Sequence, residues 1–127
     1  VVRDGQVLGE SGNRVTSTCD PTAHAEVLAI RQACDIVKDY RLSGCTLYTS
    51  CEPCPMCCGA IYWARIERVV FAAGRQQAAA AGFDDSLVYH ELAKKHDERI
   101  VSFSQLLSTS GQQPFDLWCK QEDRVLY

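Results

Sequence analysis

The segment from Ser50 to Ala60, SCEPCPMCCGA, places four cysteines and two prolines within eight residues. Cys51, Cys54 and Cys57 are spaced three apart and Cys58 follows at once, so two overlapping Cys-x-x-Cys pairs are present. Eight cysteines in a chain of this length indicate a disulfide framework or metal chemistry. The four bunched thiols leave open which of them hold a metal, and whether that metal is structural or catalytic.

The other four cysteines are isolated from one another: Cys19, Cys34, Cys45 and Cys119. No secretory signal opens the chain, so we interpret these four as reduced thiols of a cytoplasmic protein. The chain of 127 residues is 46% hydrophobic and 23% charged, which is typical of one soluble globular domain, and we expect a single domain over residues 1–127. No apolar run approaches the ~18 residues of a membrane helix, so no membrane partner is expected.

The net charge of −3 and the scattered arginines argue against a nucleic-acid partner, because such binding requires clustered Lys and Arg. A small, weakly charged ligand fits this balance better. The chain begins with VVRDGQVLGE, without Met, as a strand already under way. We therefore expect further sequence upstream of Val1.

Turn and cap residues divide the chain into alternating strands and helices. Asp4-Gly5 predicts a β-hairpin turn. Asp20 as N-cap and Pro21 at the first helical position predict a helix that runs to about Tyr40. The segment CTLYTS predicts a strand, and Pro55 the start of a second helix.

Farther on we expect a strand over residues 67–73, a short helix broken at Gly82, a helix over 87–96, a last strand over 99–107 and a terminal amphipathic helix from 114. This alternation predicts an α/β sandwich with a largely buried sheet.

Two other metal sites fit the cysteine spacing poorly. The bacterial ferredoxin pattern needs a further cysteine four positions after Cys57, where this chain has Ile61. A closed Cys₄ zinc site needs two separated Cys-x-x-Cys pairs, and only one cluster is present. Cys19, Cys34 or Cys45 could complete such a site, although none has the required spacing.

His24 and Glu26 interrupt an apolar helix near its start. A buried glutamate is costly without a partner, and at the first turn of a helix both side chains can reach a site over the helix end. Cys54 and Cys57 lie on one face of the first turn of the second helix, where the helix dipole favours thiolate. With His24 they make three ligands, so a tetrahedral Zn²⁺ keeps its fourth position for water, which is the catalytic arrangement.

In this interpretation Glu26 lies beside the water and accepts its proton. Cys51 precedes the helix, and Cys58 is turned about 100° from Cys57 by helical geometry, so we assign both to packing. The order His-Ala-Glu, then Pro-Cys-x-x-Cys thirty residues later, matches the zinc deaminase signature.

The chain resembles the cytidine-deaminase-like superfamily over its whole length, and within it the bacterial guanine deaminases. The matching segments are NRV, DPTAHAEV, LYTSCEPCPMCCGAIYWARI, AGFDDS and the closing Tyr127. The resemblance implies a three-layer α/β/α sandwich, a homodimer or larger assembly, and Zn²⁺ held by His24, Cys54 and Cys57. It implies hydrolysis of the 2-amino group of guanine to give xanthine and ammonia, with a zinc-activated water and Glu26 as proton shuttle. Family members also carry an N-terminal helix and a Gly-Pro-Phe-rich stretch, which these residues lack.

The resemblance further implies a set of substrate contacts. Asp85 corresponds to a catalytic and base-reading carboxylate, and Phe83 to a ring beside the base. Asn13 corresponds to a substrate-binding position, the backbone N–H of Ala25 to a group beside the zinc water, and Tyr127 to a segment that closes the pocket. A carboxylate suits guanine because the base presents two donors, N1–H and the 2-amino group.

Plainer interpretations of these residues stay open. Asp84-Asp85 is also an ordinary helix cap, Asn13 is also a turn residue, and Tyr127 is also a frayed chain end. Among alternative functions, guanosine deamination would need the same carboxylate. Adenosine deamination in tRNA shares the metal motif but predicts a basic surface, and deamination of cytosine or cytidine is possible on the motif alone. A non-catalytic zinc-binding fold would have no use for Glu26.

Overall fold

The computed structural model describes residues 1–126 as a mixed four-stranded sheet with helices. The strands are β1 (Val2–Arg3), β2 (Gln6–Val7), β3 (Thr46–Cys51) and β4 (Arg68–Ala73), and their order across the sheet is β2-β1-β3-β4. β1 pairs antiparallel with both β2 and β3, while β3 and β4 are parallel. The predicted hairpin turn is confirmed, since Asp4 and Gly5 both have the positive φ angles (51° and 76°) that a two-residue hairpin turn of this kind requires.

The helices of the described residues alternate with the strands up to β4 and then follow one another. They are α1 (Val15–Thr18), α2 (Ala25–Val37), α3 (Pro55–Trp63), α4 (Arg75–Ala80), α5 (Ser86–Ala93) and α6 (Gln113–Lys120), with 3₁₀ turns at His96–Glu98 and Ser110–Gln112. Two compact units divide the chain. The first, Val1–Tyr89, holds the sheet and helices α1 to α4, and the second begins at His90.

The core of the first unit is formed by β3 and helices α2 and α3, which pack against each other. Ile30, Ala33 and Val37 recur at helical spacing along α2 and supply its apolar face. Leu42, Cys45 and Leu47 are almost completely buried, at 0–1% exposure. This packing anchors the beginnings of α2 and α3 at one place, which is what the site described below requires.

The predicted start of the first long helix is wrong. α2 begins at Ala25 with His24 as its N-cap, and it ends at Val37, before Tyr40. Asp20 instead forms a local turn, in which its Oδ1 accepts hydrogen bonds from the backbone N–H of Thr22 (2.8 Å) and the hydroxyl of Thr22 (2.7 Å). Asn, Asp and Ser side chains compete for backbone donors in this way at turns, so a cap residue in the sequence does not by itself locate the helix start.

The predicted last strand is also wrong, because no strand follows β4 in residues 1–126. The segment 99–107 instead folds against the end of α5. The backbone N–H of Ile100 donates to the Glu91 carboxylate (2.6 Å), and the Arg99 guanidinium donates to the carbonyls of Leu92 and Lys94. These contacts replace the ladder bonds that the apolar sequence pattern had predicted. The predictions of α3 with Pro55 at its start, of β4 and of the helix break at Gly82 are confirmed.

None of the helices described in residues 1–126 has the length and hydropathy needed to cross a membrane.

Two leucines provide a test of the assigned core. Leu47 is 1% exposed in β3, whereas Leu87 is 58% exposed in α5. We expect Leu47→Ala to lower the free energy of unfolding by about 2–5 kcal/mol, because it removes buried methyl groups and leaves a cavity. Leu87→Ala, the same chemical change at the surface, should change it by less than about 0.5 kcal/mol. Urea unfolding followed by circular dichroism measures both, and equal losses would contradict the placement of the core.

Candidate metal centre and substrate pocket

Two helix N-termini converge on the metal-ligating side chains. His24 is the N-cap of α2 (φ −70°, ψ 150°) and Cys54 is the N-cap of α3 (φ −66°, ψ 168°), so both lie in extended backbone just before a helix. Pro55 occupies the first position of α3, where a missing N–H costs nothing. Cys57 lies in the same first turn, and its side chain points to the same place as that of Cys54. The positive ends of both helices therefore favour negative charge at this point.

The geometry of these three side chains fits a tetrahedral zinc ion. His24 Nδ1 lies 3.6 Å from Cys54 Sγ and 3.6 Å from Cys57 Sγ, and the three ligand atoms lie within 4.8 Å of one another. With Zn–N of about 2.05 Å and Zn–S of about 2.3 Å, two tetrahedral ligands of this kind are separated by about 3.5 Å. Imidazole and thiolate are also the donors that zinc prefers. His24, Cys54 and Cys57 can therefore hold Zn²⁺ with small movements.

The two cysteines differ in acidity. A hydrogen bond from the thiol of Cys57, helped by the backbone N–H groups of Cys57 and Met56 and by His24, lowers the pKa of Cys54 to about 6. The same bond, together with burial and the nearby Glu26 carboxylate, raises the pKa of Cys57. At neutral pH Cys54 is therefore a thiolate, while Cys57 keeps its proton until a metal takes its place. Binding of zinc consequently releases a proton.

Glu26 lies next to the metal ligands without being one of them. Its carboxylate is close enough to Cys57 to raise the pKa of that thiol, while the group of candidate ligands comprises only His24, Cys54 and Cys57 among the described residues. Glu26 is half-buried in the first turn of α2. A carboxylate in this position is available to hold a proton beside a metal-bound molecule.

A cavity of about 730 Å³ opens over the ligands within the first unit. Four chain segments line it, namely the turn before α1, the start of α2, the end of β3 with the start of α3, and the region of α4. The predicted site residues among its walls are Asn13, His24, Ala25, Glu26, Cys54, Phe83 and Asp85. The structure therefore brings to one cavity side chains that are up to 72 positions apart in the sequence (Asn13 and Asp85).

Each predicted substrate contact that lies in residues 1–126 has a defined local setting. The Oδ1 atom of Asn13 accepts the backbone N–H of Val15 (3.0 Å), so Asn13 is a turn residue that also lines the cavity. Asp84 Oδ1 accepts the backbone N–H of Ser86 (2.9 Å), so the helix-capping interaction belongs to Asp84. Asp85 and the exposed ring of Phe83 face the cavity.

The backbone N–H of Ala25 is at the first position of α2, where helix geometry provides no intrahelical acceptor. Tyr127 lies outside the described residues. Cys51 lines the cavity, whereas the thiol of Cys58 donates to the carbonyl of Pro53 (3.3 Å) and burial raises its pKa.

Sequence reasoning missed two charged residues of the cavity wall, Glu52 and Arg75. Glu52 lies inside the cysteine segment, where only the thiols were considered as functional groups. Arg75 begins α4, and only the parallel pairing of β3 with β4 places it beside Glu52. A charged residue two positions after each of two predicted strands was the available signal, because the carboxyl ends of parallel strands meet at one edge of a sheet.

Comparison with known proteins agrees with this geometry. Residues 1–73 match the family model of the cytidine and deoxycytidylate deaminase zinc-binding region. The chain belongs to this family of zinc-dependent deaminases. It is 53% identical over 118 residues to guanine deaminase from Bacillus subtilis, which covers 93% of this chain and 76% of that protein.

The X-ray structure of guanine deaminase from Bacillus subtilis superimposes with a TM-score of 0.96 at 51% identity, over 99% of this chain and 80% of that one. This match confirms the expected cytidine-deaminase-like α/β fold. A tRNA-specific adenosine deaminase from Haemophilus influenzae is 40% identical over 111 residues, with 84% of this chain and 64% of that protein covered.

The cysteine cluster allows a matched test of the metal ligands. We expect wild-type protein to bind about one zinc per chain. Cys54→Ser and Cys57→Ser should each lose most of this zinc, because a hydroxyl is a poor replacement for a thiolate. Cys58→Ser, the same change one residue away, should keep it. Metal analysis of purified protein by mass spectrometry gives the stoichiometry, and loss of zinc from Cys58→Ser alone would contradict the assignment.

Proposed function

We propose that this protein hydrolyses the 2-amino group of guanine, producing xanthine and ammonia. One observation carries the proposal: His24 and Cys54 of the metal-ligand group, the carboxylate of Glu26 and the carboxylate of Asp85 all line a single cavity, with Cys57 buried directly beside His24. The metal ligands and Glu26 are common to zinc deaminases, whereas the carboxylate of Asp85 suits a base that presents hydrogen-bond donors. The high identity to a guanine deaminase over most of both chains supports the same substrate.

The chemistry follows from what each residue holds. When bound by His24, Cys54 and Cys57, zinc supplies a water of lowered pKa as the nucleophile. Glu26 would take one proton from the attacking water and pass it to ring N3 as oxygen bonds to C2; it would then carry the proton of the resulting C2 hydroxyl to the amino nitrogen, so that the C–N bond breaks, ammonia leaves and the C2 carbonyl of xanthine forms. The backbone N–H of Ala25 donates a hydrogen bond at the same end of the cavity. Because Glu26 returns the proton that it takes, it is ready for another cycle.

Recognition of guanine is divided between Asp85, Asn13 and Phe83. The carboxylate of Asp85 accepts hydrogen bonds from N1–H and the 2-amino group, a donor pair that adenine and cytosine lack. The Oδ1 of Asn13 is already bonded to the N–H of Val15, so its amide NH₂ is the group left to donate to O6. Phe83 packs against the face of the base.

Guanosine is the second candidate substrate. A cavity of about 730 Å³ is in the range that holds drug-sized ligands, and this volume leaves space for a ribose. The same Asp85 carboxylate would read the base of the nucleoside. Adenosine in tRNA fits less well because it has no N1–H to donate to Asp85.

We further propose that the enzyme is a cytoplasmic homodimer and that residues 1–127 act as one deaminase domain. The eight cysteines are free thiols, as in reducing compartments. Tyr62 and Trp63 at the end of α3 are 76% and 60% exposed, and large exposed aromatic side chains are typical of subunit contacts. Trp63 accordingly does not belong to the core.

The role of Glu26 predicts a specific variant phenotype. Glu26→Gln keeps the shape of the side chain but cannot accept a proton, so we expect kcat to fall about 10²–10⁴-fold. Zinc content and the thermal unfolding midpoint should be close to those of the wild type. Ammonia release from guanine, guanosine, adenine, cytosine and cytidine, measured in parallel, identifies the substrate. Unchanged turnover in Glu26→Gln would refute the proton-transfer role.

The two neighbouring aspartates separate base recognition from helix capping. We expect Asp85→Asn to lower kcat/KM for guanine by at least about 10²-fold, because an amide cannot accept two hydrogen bonds as the carboxylate does. Asp84→Asn is the matched control, since an asparagine oxygen still accepts the backbone N–H of Ser86. If both variants lost activity equally, the loss would report on the loop as a whole and Asp85 would have no separate role.

A further inference from the structure

Glu52 connects the end of β3 to the beginning of α4 through two bonds. Its backbone N–H donates to the carbonyl of Ala73 (2.8 Å), which extends the ladder between the parallel strands β3 and β4. Its carboxylate Oε2 accepts the backbone N–H of Arg75 (3.0 Å). Arg75 is the first residue of α4, so this N–H has no acceptor within its own helix. Glu52 therefore holds both sides of the junction between β4 and α4.

Helix α4 connects Arg75 to the residues that are proposed to contact the substrate. It has six residues and is about 9 Å long. At its end the N–H of Gly82 donates to Ala79 (3.0 Å) and the N–H of Phe83 donates to Ala78 (2.9 Å), with Gly82 in the left-handed region (φ 91°). These two bonds form a Schellman motif, which gives the chain a defined exit from the helix. The positions of Phe83 and Asp85 consequently depend on the orientation of α4.

Arg75 also connects α4 to the start of α5. Its guanidinium lies over the ring of Tyr89, 4.9 Å from the ring centre, in a cation–π contact. The backbone N–H of Tyr89 in turn donates to the carbonyl of Asp85 (3.3 Å). Phe83 and Asp85 therefore lie in the connection between α4 and α5. Arg75 contacts both helices, because it is the first residue of α4 and its guanidinium lies over Tyr89 of α5. The Glu52 carboxylate holds the backbone of that same arginine.

We propose that Glu52 is a positioning residue for base recognition, acting through Arg75 and α4 on the placement of Asp85. The proposal rests on the proposed function, because it assigns to Glu52 the alignment of the carboxylate that reads guanine. Glu52 itself contacts neither the leaving group nor the metal ligands in this account. An error of about 1 Å in the position of a binding group can cost roughly 10²-fold in rate, so alignment of this kind is a measurable contribution.

The chain contains a matched control for Glu52. Glu67 accepts the backbone N–H of Gly44 through its Oε1 at 3.0 Å, across the same sequence separation of 23 residues. The Glu67 bond lies away from the cavity lining. Removal of either carboxylate deletes one carboxylate–amide hydrogen bond of 3.0 Å. Only the Glu52 bond holds the helix that precedes Asp85.

The first test is a double-mutant cycle on zinc-loaded protein with guanine as substrate. We expect Glu52→Ala to lower kcat/KM roughly 10- to 100-fold with normal zinc content, and Glu52→Gln, which keeps an acceptor oxygen, to restore most of it. Glu67→Ala should stay within about threefold of wild type. In the Asp85→Asn background, Glu52→Ala should lower kcat/KM by less than a further factor of about three, because the carboxylate that Glu52 positions is already removed. A full additional loss in that background would overturn the proposal.

Amide hydrogen exchange followed by mass spectrometry tests the same inference without turnover. We expect Glu52→Ala to speed exchange in residues 75–85 at least about tenfold, because the first N–H of α4 has lost its acceptor, while Glu67→Ala leaves this segment unchanged. Normal exchange there in Glu52→Ala would refute the positioning role. The proposed function is judged separately: it fails if zinc-loaded wild-type protein does not release ammonia from guanine, whatever the exchange experiment shows.

Discussion

The meeting of two helix N-termini is the interaction on which the rest of the site depends. α2 and α3 contact each other and share one hydrophobic core with β3. Their first turns approach each other so closely that His24 Nδ1 lies 3.6 Å from both Cys54 Sγ and Cys57 Sγ. Both helix dipoles direct positive charge to this point. Thiolate is therefore favoured where the metal ligands lie, and the same field favours the negative charge that develops on a reacting water. The core stabilises this arrangement because Ile30, Leu47 and Ile61 hold the three elements together.

Much of this site was predictable from the sequence because short-range patterns determine it. Pro55 and the Cys-x-x-Cys spacing are sufficient to place Cys54 and Cys57 on one helix turn, and the structure has them there. The start of α2 was not predictable in the same way. Asp20 is a good N-cap, but its carboxylate bonds to Thr22 in a local turn, and the helix begins five residues later at Ala25. Asp20 can form either a helix N-cap or a local turn, and only the packing of the helix decides between the two.

The errors in the C-terminal part have a different physical cause. The apolar segment 99–107 has the composition of a strand, but strand formation depends on a neighbour with free ladder groups, which sequence does not show. In the structure Arg99 and Ile100 use their donors on the end of α5 instead. The contributions of Glu52 and Arg75 were hidden for a related reason, since they become neighbours only through the parallel pairing of β3 and β4. Long-range pairing thus limits what local patterns can predict.

The proposed catalytic residues and two of the proposed base-recognition residues come from separate parts of the chain. The ligands and Glu26 belong to α2 and α3, whereas Phe83 and Asp85 belong to a short connection that begins at the Schellman motif of Gly82. Under the proposed function, a change in that connection would alter base recognition and leave the metal ligands and Glu26 in place. Under the proposed function, reactivity and much of the substrate choice therefore depend on different segments of the chain, so the two properties can diverge independently in evolution.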